Sequence, residues 1–188
     1  MGSGERLTFL RGFLRDRKTV GALTPTSASM ARALARAAGA SRRRAVAELG
    51  AGTGPVTAAL LEQLPPDARL WAFEIKPEFV RLLRARFDDP RLTIVEASAA
   101  EAPRIAREAG IAGFDAVVSA IPFAVLGRTL SREILAAAAA AMAPGAPFVA
   151  IQYRPDYLPP LLRERFGPAD RRFHLWNLPP AFVVRAYA

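Results

Sequence analysis

The chain has 188 residues, 52% of them hydrophobic and 23% charged. That is enough apolar material for one folded domain with a small appendage, and too much for a disordered chain. There is no cysteine and a single histidine, His174, which excludes a disulfide scaffold, thiolate metal sites and a cysteine nucleophile, and argues against a His-rich metal centre or a Ser-His-Asp triad. Lys+Arg total 26 against 17 Asp+Glu, a net charge of +9, so the expected partners are polyanions: nucleic acid or an anionic membrane surface.

No apolar run reaches the ~18 residues that a membrane span requires, and Ile134–Met142 is stopped by Pro144-Gly145. The N-terminus has no signal-peptide core, so a cytoplasmic location is expected. In Glu5–Arg17 the residues Leu7, Phe9, Leu10, Phe13 and Leu14 fall in one arc of about 160° at helical spacing, with Arg11, Arg15 and Lys18 opposite. Such an amphipathic helix either lies on a membrane surface or packs on the rest of the chain. Thr24-Pro25-Thr26-Ser27 then reads as a cap leading into a helix over Met30–Ala38.

From Ala45 onward, short apolar runs alternate with helical patterns. Strands are predicted at Ala45–Leu49, Leu70–Glu74, Leu92–Val95, Phe114–Ser119 and Phe148–Tyr153. Helices are predicted at Pro55–Gln63, Pro77–Arg86, Ala102–Ala109 and Ser131–Met142, with a broken one over Asp156–Phe166. That alternation specifies an α/β fold with a parallel sheet covered on both faces. Phe173–Asn177 and Phe182–Tyr187, joined by Leu178-Pro179-Pro180, are too closely linked to be parallel and predict a closing antiparallel hairpin. The expected architecture is a Rossmann-like, seven-stranded, mostly parallel sheet.

The sharpest local signal is Glu48-Leu49-Gly50-Ala51-Gly52-Thr53-Gly54, with Pro55 opening the next helix. Alternate glycines let the backbone turn tightly and approach a ligand, and proline suits a first helical turn. Glu74 lies 20 residues beyond Gly54, at the tip of the second predicted strand, where a carboxylate can accept both ribose hydroxyls of a nucleoside. The third glycine comes one position earlier than in dinucleotide-binding loops, and Glu48 would repel a pyrophosphate. A carboxylate there suits a ligand with a cationic amine and sulfonium, such as S-adenosylmethionine. The pattern resembles the first motif of the class I methyltransferases. After the third strand that family usually places an acid against the adenine amine; Ser98 stands there instead, beside Ala99 and before Glu101.

The loop after the fourth strand, Ser119-Ala120-Ile121-Pro122-Phe123, is similar to the N/D-P-P-Y/F loop of amino-directed nucleic-acid methyltransferases, with serine replacing the amide. Nearly the whole chain resembles the bacterial phospholipid N-methyltransferases, themselves similar to ribosomal RNA adenine dimethylases. The resemblance is carried by Phe9–Val20 followed by Gly21-Ala22-Leu23-Thr24-Pro25-Thr26-Ser27, and by Glu48–Gly54, Ser119–Pro122, Gln152-Tyr153-Arg154-Pro155 and Trp176-Asn177-Leu178-Pro179-Pro180-Ala181. It implies methylation of the headgroup amine of phosphatidylethanolamine, stepwise to phosphatidylcholine, by a monomer sitting peripherally on the cytoplasmic membrane, with anionic lipids as partners and no nucleic acid. Under it, residues 1–40 form membrane-binding and cofactor-lid helices and 41–188 the catalytic domain. The competing expectation is an RNA adenine N6-dimethylase, which the charge permits, although a separate C-terminal RNA-binding domain is lacking.

The implied cofactor set is Thr26, Ser27, Glu48, Gly50, Ala51, Gly52, Gly54, Glu74, Ile75, Ser98, Ala99 and Ser119; Thr26 and Ser27 serve equally well as helix caps. A headgroup ammonium must lose a proton before its nitrogen can attack. Tyr153 is one candidate for the proton relay, or else an aromatic capping the sheet edge, and His174 is another, or else a structural strand residue. Ser119 and Pro122 belong to the acceptor loop. Phe123, Tyr153 and Trp176 form an aromatic wall for a methylated cation, unless Trp176 is plain core. Lys18, Arg154 and Arg172 are candidates for a lipid phosphate, or are solvated surface charges.

Overall fold

The computed structural model describes residues 26–188; the amphipathic segment Glu5–Arg17, Lys18 and Thr24-Pro25 lie outside them. Seven strands run in chain order as β1 (Ala45–Leu49), β2 (Arg69–Glu74), β3 (Leu92–Glu96), β4 (Ala116–Ser119), β5 (Pro147–Gln152), β6 (Asp170–His174) and β7 (Ala181–Tyr187). They form one sheet in the order β3-β2-β1-β4-β5-β7-β6. The first five are parallel, and β7 pairs antiparallel with both β5 and β6. Among the described residues six α-helices precede or connect them: α1 (Ala28–Ala38), α2 (Pro55–Gln63), α3 (Pro77–Arg86), α4 (Ala102–Glu108), α5 (Phe123–Ala141) and α6 (Leu158–Leu162). The expected Rossmann-like sheet with its antiparallel hairpin is the observed one.

Strand alternation divides the core. Ala47, Leu49, Trp71, Phe73, Phe148 and Ala150 face α4, α5 and α6. Val46, Leu70, Val118, Val149 and Ile151 face α1 and α2, while Leu83 of α3 packs on Ala72 and Ala51. Burying side chains on both faces is what makes these parallel strands read as nearly continuous apolar runs. Helix α1 is part of this core through Met30, Ala31, Leu34 and Ala35. Ser27 caps it, accepting the Met30 N–H at 3.1 Å, and Gly39 ends it in a left-handed turn at φ 68°.

Several boundaries differ from expectation: α6 covers only Leu158–Leu162 of the predicted Asp156–Phe166, β6 starts at Asp170 rather than Phe173, and three more differences bear on the site. Phe114 makes only an isolated bridge to Met142, so β4 starts at Ala116, while Asp115 uses its carboxylate to accept the backbone N–H groups of Arg44 and Ala45. Helix α5 begins at Phe123 rather than Ser131, passing through a kink at Gly127 (φ 77°, ψ 166°). Ser131 Oγ shares its proton between the carbonyls of Gly127 (2.7 Å) and Phe123 (3.1 Å), holding the first turn to the rest. Strand β6 ends at His174 rather than Asn177, because Asn177 turns inward and bonds to its own loop and to the cap of α1.

The connections after β1 and β4 leave in opposite directions along the sheet. Between them lies the switch point at which open α/β sheets bind ligands outside the carboxyl ends of their strands.

Candidate active site

The loop after β1 is folded over the tip of β2. Gly50 N–H and Ala51 N–H both donate to the Phe73 carbonyl, at 2.9 and 3.0 Å. Gly50 has φ 79°, and a Cβ there would stand 2.9 Å from Ile121 Cγ1. Gly52 (φ 56°) has open space where its Cβ would be, and its N–H donates to Glu74 Oε2 at 2.8 Å. Ile75 N–H and Lys76 N–H donate to Glu74 Oε1, both at 2.9 Å. Three backbone donors thus fix the Glu74 carboxylate: Oε1 takes two of them, and Oε2, which takes one, retains a lone pair for a further hydroxyl.

Glu74 forms one wall of a groove of about 770 Å³, whose lining includes Gly50, Gly52, Ile75, Lys76, Phe79, Ser98, Ala99, Ala120, Ile121, Pro122 and Leu126. Its mainly apolar walls, with the Glu74 carboxylate among them, suit a small-molecule ligand. Ser98 is buried, and its hydroxyl accepts the Ala100 N–H at 3.2 Å while Glu101 Oε1 accepts the Ser98 N–H at 3.3 Å. This reciprocal capping box ties a lone pair of the hydroxyl to the turn and leaves its proton to donate.

A second groove, of about 720 Å³, is lined by Thr26, Ala124, Val125, Ile151, Gln152, Tyr153 and Arg154, and shares Ala120, Ile121 and Pro122 with the first. The loop after β4 is therefore a strap with one groove on each side. Tyr153 is half-buried, and its hydroxyl accepts from Asn177 Nδ2 at 3.5 Å. Gln152 is buried, and its Nε2 has no hydrogen-bond partner among the described residues.

Beneath the glycine loop, Glu48 is fully buried. Oε2 accepts a 2.6 Å hydrogen bond from Thr57 Oγ1, and Oε1 has no partner among the described residues. Burial pushes its pKa from an ordinary 4.5 up to about 7; the Thr57 hydrogen bond works in the other direction, and the negative charge of Glu74 adds to the rise.

Residues 46–145 match the family described as a methyltransferase domain. An ornithine lipid N-methyltransferase of Singulisphaera acidiphila is 32% identical over 92% of this chain and 91% of its own length. The chain belongs to the class I S-adenosylmethionine-dependent methyltransferases. A shorter likeness, 39% over 36% of this chain and 22% of the relative, is to ribosomal RNA small subunit methyltransferase H of Halorhodospira halophila. Among solved structures, the 1,6-didemethyltoxoflavin-N1-methyltransferase of Burkholderia thailandensis shares the fold at 21% identity and a TM-score of 0.67, covering 100% of this chain and 90% of that one.

The residues fit the methyltransferase cofactor: Glu74 is held ready for a ribose hydroxyl and the space above Gly52 is open, while Glu48, which lines neither groove, keeps an orphaned oxygen buried beneath the loop. S-adenosylmethionine supplies a methyl group on a cationic sulfur, open to direct displacement. Of the predicted cofactor residues, Gly50, Gly52, Glu74, Ile75, Ser98 and Ala99 line one groove, and Thr26 lies in the other.

Several predicted positions line neither groove. Gly54 has φ 86°, and a Cβ there would meet Phe87 Cε2 at 2.6 Å and Leu83 Cδ2 at 2.9 Å, so it closes α2 onto α3. Ala51 packs in that same cluster. Ser119 is buried and accepts the Ile121 N–H at 3.2 Å, shaping the strap from below. Ser27 is a helix cap. Phe123 is buried in the core against Phe148, with ring centroids 6.4 Å apart, and is not a groove wall. Trp176 is 76% exposed and is neither core nor part of an aromatic wall with Phe123. His174 lines neither groove; its Nε2 lies 3.0 Å from Ser29 Oγ on α1, which makes it a strand-to-helix contact. Arg154 lines the second groove, whereas Arg172 is exposed on β6.

Sequence reasoning missed Lys76, Phe79 and Leu126 in the first groove and Ala124, Val125 and Gln152 in the second. The amide of Gln152 had a signal, a lone polar residue closing the apolar run of β5. The others carry none. Among the described residues no helix is long and apolar enough to cross a membrane, and no group of His, Asp and Glu is arranged to hold a metal.

Proposed function

We propose that this methyltransferase transfers the methyl group to the headgroup amine of a membrane lipid, with phosphatidylethanolamine as the acceptor expected from the sequence. The observation that carries the reading is the pair of grooves divided by the Ala120–Pro122 strap: one has a nucleoside-binding carboxylate, and the other is apolar and rimmed by Tyr153 and Arg154. The likeness to an ornithine lipid N-methyltransferase over almost the whole chain supports a lipid-borne amine. Both lipids present a primary amine at the bilayer surface, so they are distinguished by experiment. The enzyme works as a monomer bound peripherally to the cytoplasmic membrane surface.

In this reading the protein positions and desolvates the two reactants. The amine enters as an ammonium and gives up a proton, with the Tyr153 hydroxyl as first acceptor in a relay to solvent. Its nitrogen lone pair then forms the N–C bond as the C–S bond breaks, and the electron pair leaves on sulfur. Glu48, buried beneath the glycine loop, adds negative charge on the donor's side, and Glu74 would hold the ribose. Arg154 at the rim meets the headgroup phosphate.

The test uses the full chain with methyl-labelled S-adenosylmethionine and three acceptors: vesicles containing phosphatidylethanolamine, vesicles containing ornithine lipid, and ribosomal RNA. Label in extracted lipid supports the proposal, and the lipid labelled names the acceptor. Label in RNA alone, or in none of the three, overturns it.

A further inference from the structure

The loop that joins β6 to β7 turns its large side chains outward. Leu175, Trp176 and Leu178 are 60%, 76% and 77% exposed, while most other large apolar side chains among the described residues are core. The loop backbone is nevertheless tightly held. Asn177 is buried; its Oδ1 accepts the Ser27 N–H at 3.0 Å, and its Nδ2 donates to the Pro179 carbonyl at 2.8 Å. Ser27 Oγ donates to the Trp176 carbonyl at 2.9 Å. The exposed residues therefore stand on a fixed base, one whose centre, Asn177, also contacts the hydroxyl of Tyr153 in the second groove. Phe173, 59% exposed at the start of the patch, sets one side of its ring against Phe182, centroids 5.2 Å apart and planes tilted by 54°.

The charge around the loop matches one kind of partner. Arg154 at the groove rim and Arg172 on β6 are exposed and form no salt bridge among the described residues, and the chain as a whole carries +9. Apolar side chains projecting beside unpaired arginines fit the boundary of an anionic bilayer, where tryptophan is favoured at the headgroup level and basic residues meet the surface potential.

We propose that the β6–β7 loop is a bilayer-docking element: Leu175, Trp176 and Leu178 enter the acyl boundary of an anionic phospholipid membrane and bring the mouth of the second groove to the headgroup amines. The inference rests on the lipid-amine reading above, and it assigns the surface that delivers the substrate.

The sequence holds two tryptophans, and Trp71 is buried, so emission that responds to membrane comes from Trp176. The experiment titrates the full chain with phosphatidylglycerol vesicles, with and without brominated acyl chains, in wild type, in Trp176→Phe and in a Leu175→Ser/Leu178→Ser double variant. Expected are a blue shift and bromine quenching in wild type, both absent in Trp176→Phe, and vesicle partitioning lowered about tenfold or more in the double variant. The double variant is also expected to methylate lipid amine in detergent micelles at the wild-type rate, but in vesicles at a reduced one. Vesicle binding without quenching, absence of binding, or a Trp176 already shielded before lipid is added overturns the proposal; the last would mean that residues 1–25 or a second copy covers the patch. If Trp176 is quenched but wild type forms no methylated lipid in micelles, the docking element stands and the substrate reading fails.

Discussion

The Thr57 hydroxyl donates a 2.6 Å hydrogen bond to one oxygen of the buried Glu48 carboxylate, and the other oxygen has no partner among the described residues. Burial raises this pKa to about 7. Between about pH 4.5 and 7 the folded protein holds a proton at Glu48 that the unfolded chain has released. Stability from this group is therefore fully present below its ordinary pKa and is lost as pH rises through the folded value, by about 3 kcal/mol in total. A cationic ligand favours the carboxylate, so its binding expels that proton. S-adenosylmethionine affinity should improve about tenfold between about pH 6 and pH 8. Calorimetry across that range checks it: Glu48→Gln should bind weakly with no such slope, and a flat wild-type profile contradicts the assignment.

The second and third glycines of the loop should separate by phenotype. Gly54→Ala forces a side chain at φ 86° into Phe87 and Leu83 and should cost about 1–3 kcal/mol of stability. Gly52→Ala meets no atom within 4 Å but narrows the groove. It should lower cofactor affinity more than melting temperature. Paired melting and binding measurements decide; equal binding losses from the two would show that Gly54 also faces the cofactor.

Removing the Glu74 carboxylate leaves the N–H groups of Gly52, Ile75 and Lys76 without their acceptor. Glu74→Ala should reduce S-adenosylmethionine affinity by at least about tenfold and lower stability by roughly 1–3 kcal/mol, the cost of stranding buried donors. Glu74→Gln, which keeps one acceptor oxygen, should fall between wild type and Glu74→Ala in both measurements. Unchanged binding in Glu74→Ala would mean that the ribose is held elsewhere.

These residues also show what a sequence exposes and what it hides. The glycine loop, the strand-tip acid and the hairpin are local features: turn chemistry, period-two patterning and short connections announce them one residue at a time. Gly54 and Gly52 look alike in the sequence, yet one serves helix packing and the other faces the groove, because the difference lies in Phe87, far along the chain. Phe123 follows the acceptor loop directly but points into the core, since α5 starts there and Ser131 ties that first turn down. Ala124 and Val125 enter the second groove through the same turn, a consequence of the kink at Gly127 that apolar periodicity could not reveal.

His174 attracts attention as the only histidine, but its partner is Ser29 on α1. His174→Gln should leave kcat within about twofold of wild type and the activity–pH profile unshifted, measured with any accepted lipid. A loss of the profile's basic or acidic limb would return the histidine to the mechanism.

The central claim is that donor and acceptor occupy opposite sides of the Ala120–Pro122 strap, and the most direct measurement fills the acceptor side alone. Ala124 lines the second groove and not the first. In Ala124→Phe, calorimetric binding of S-adenosylmethionine should match wild type while methyl transfer to lipid amine falls at least about tenfold. Loss of cofactor binding together with activity, or full activity with the groove blocked, would contradict the arrangement.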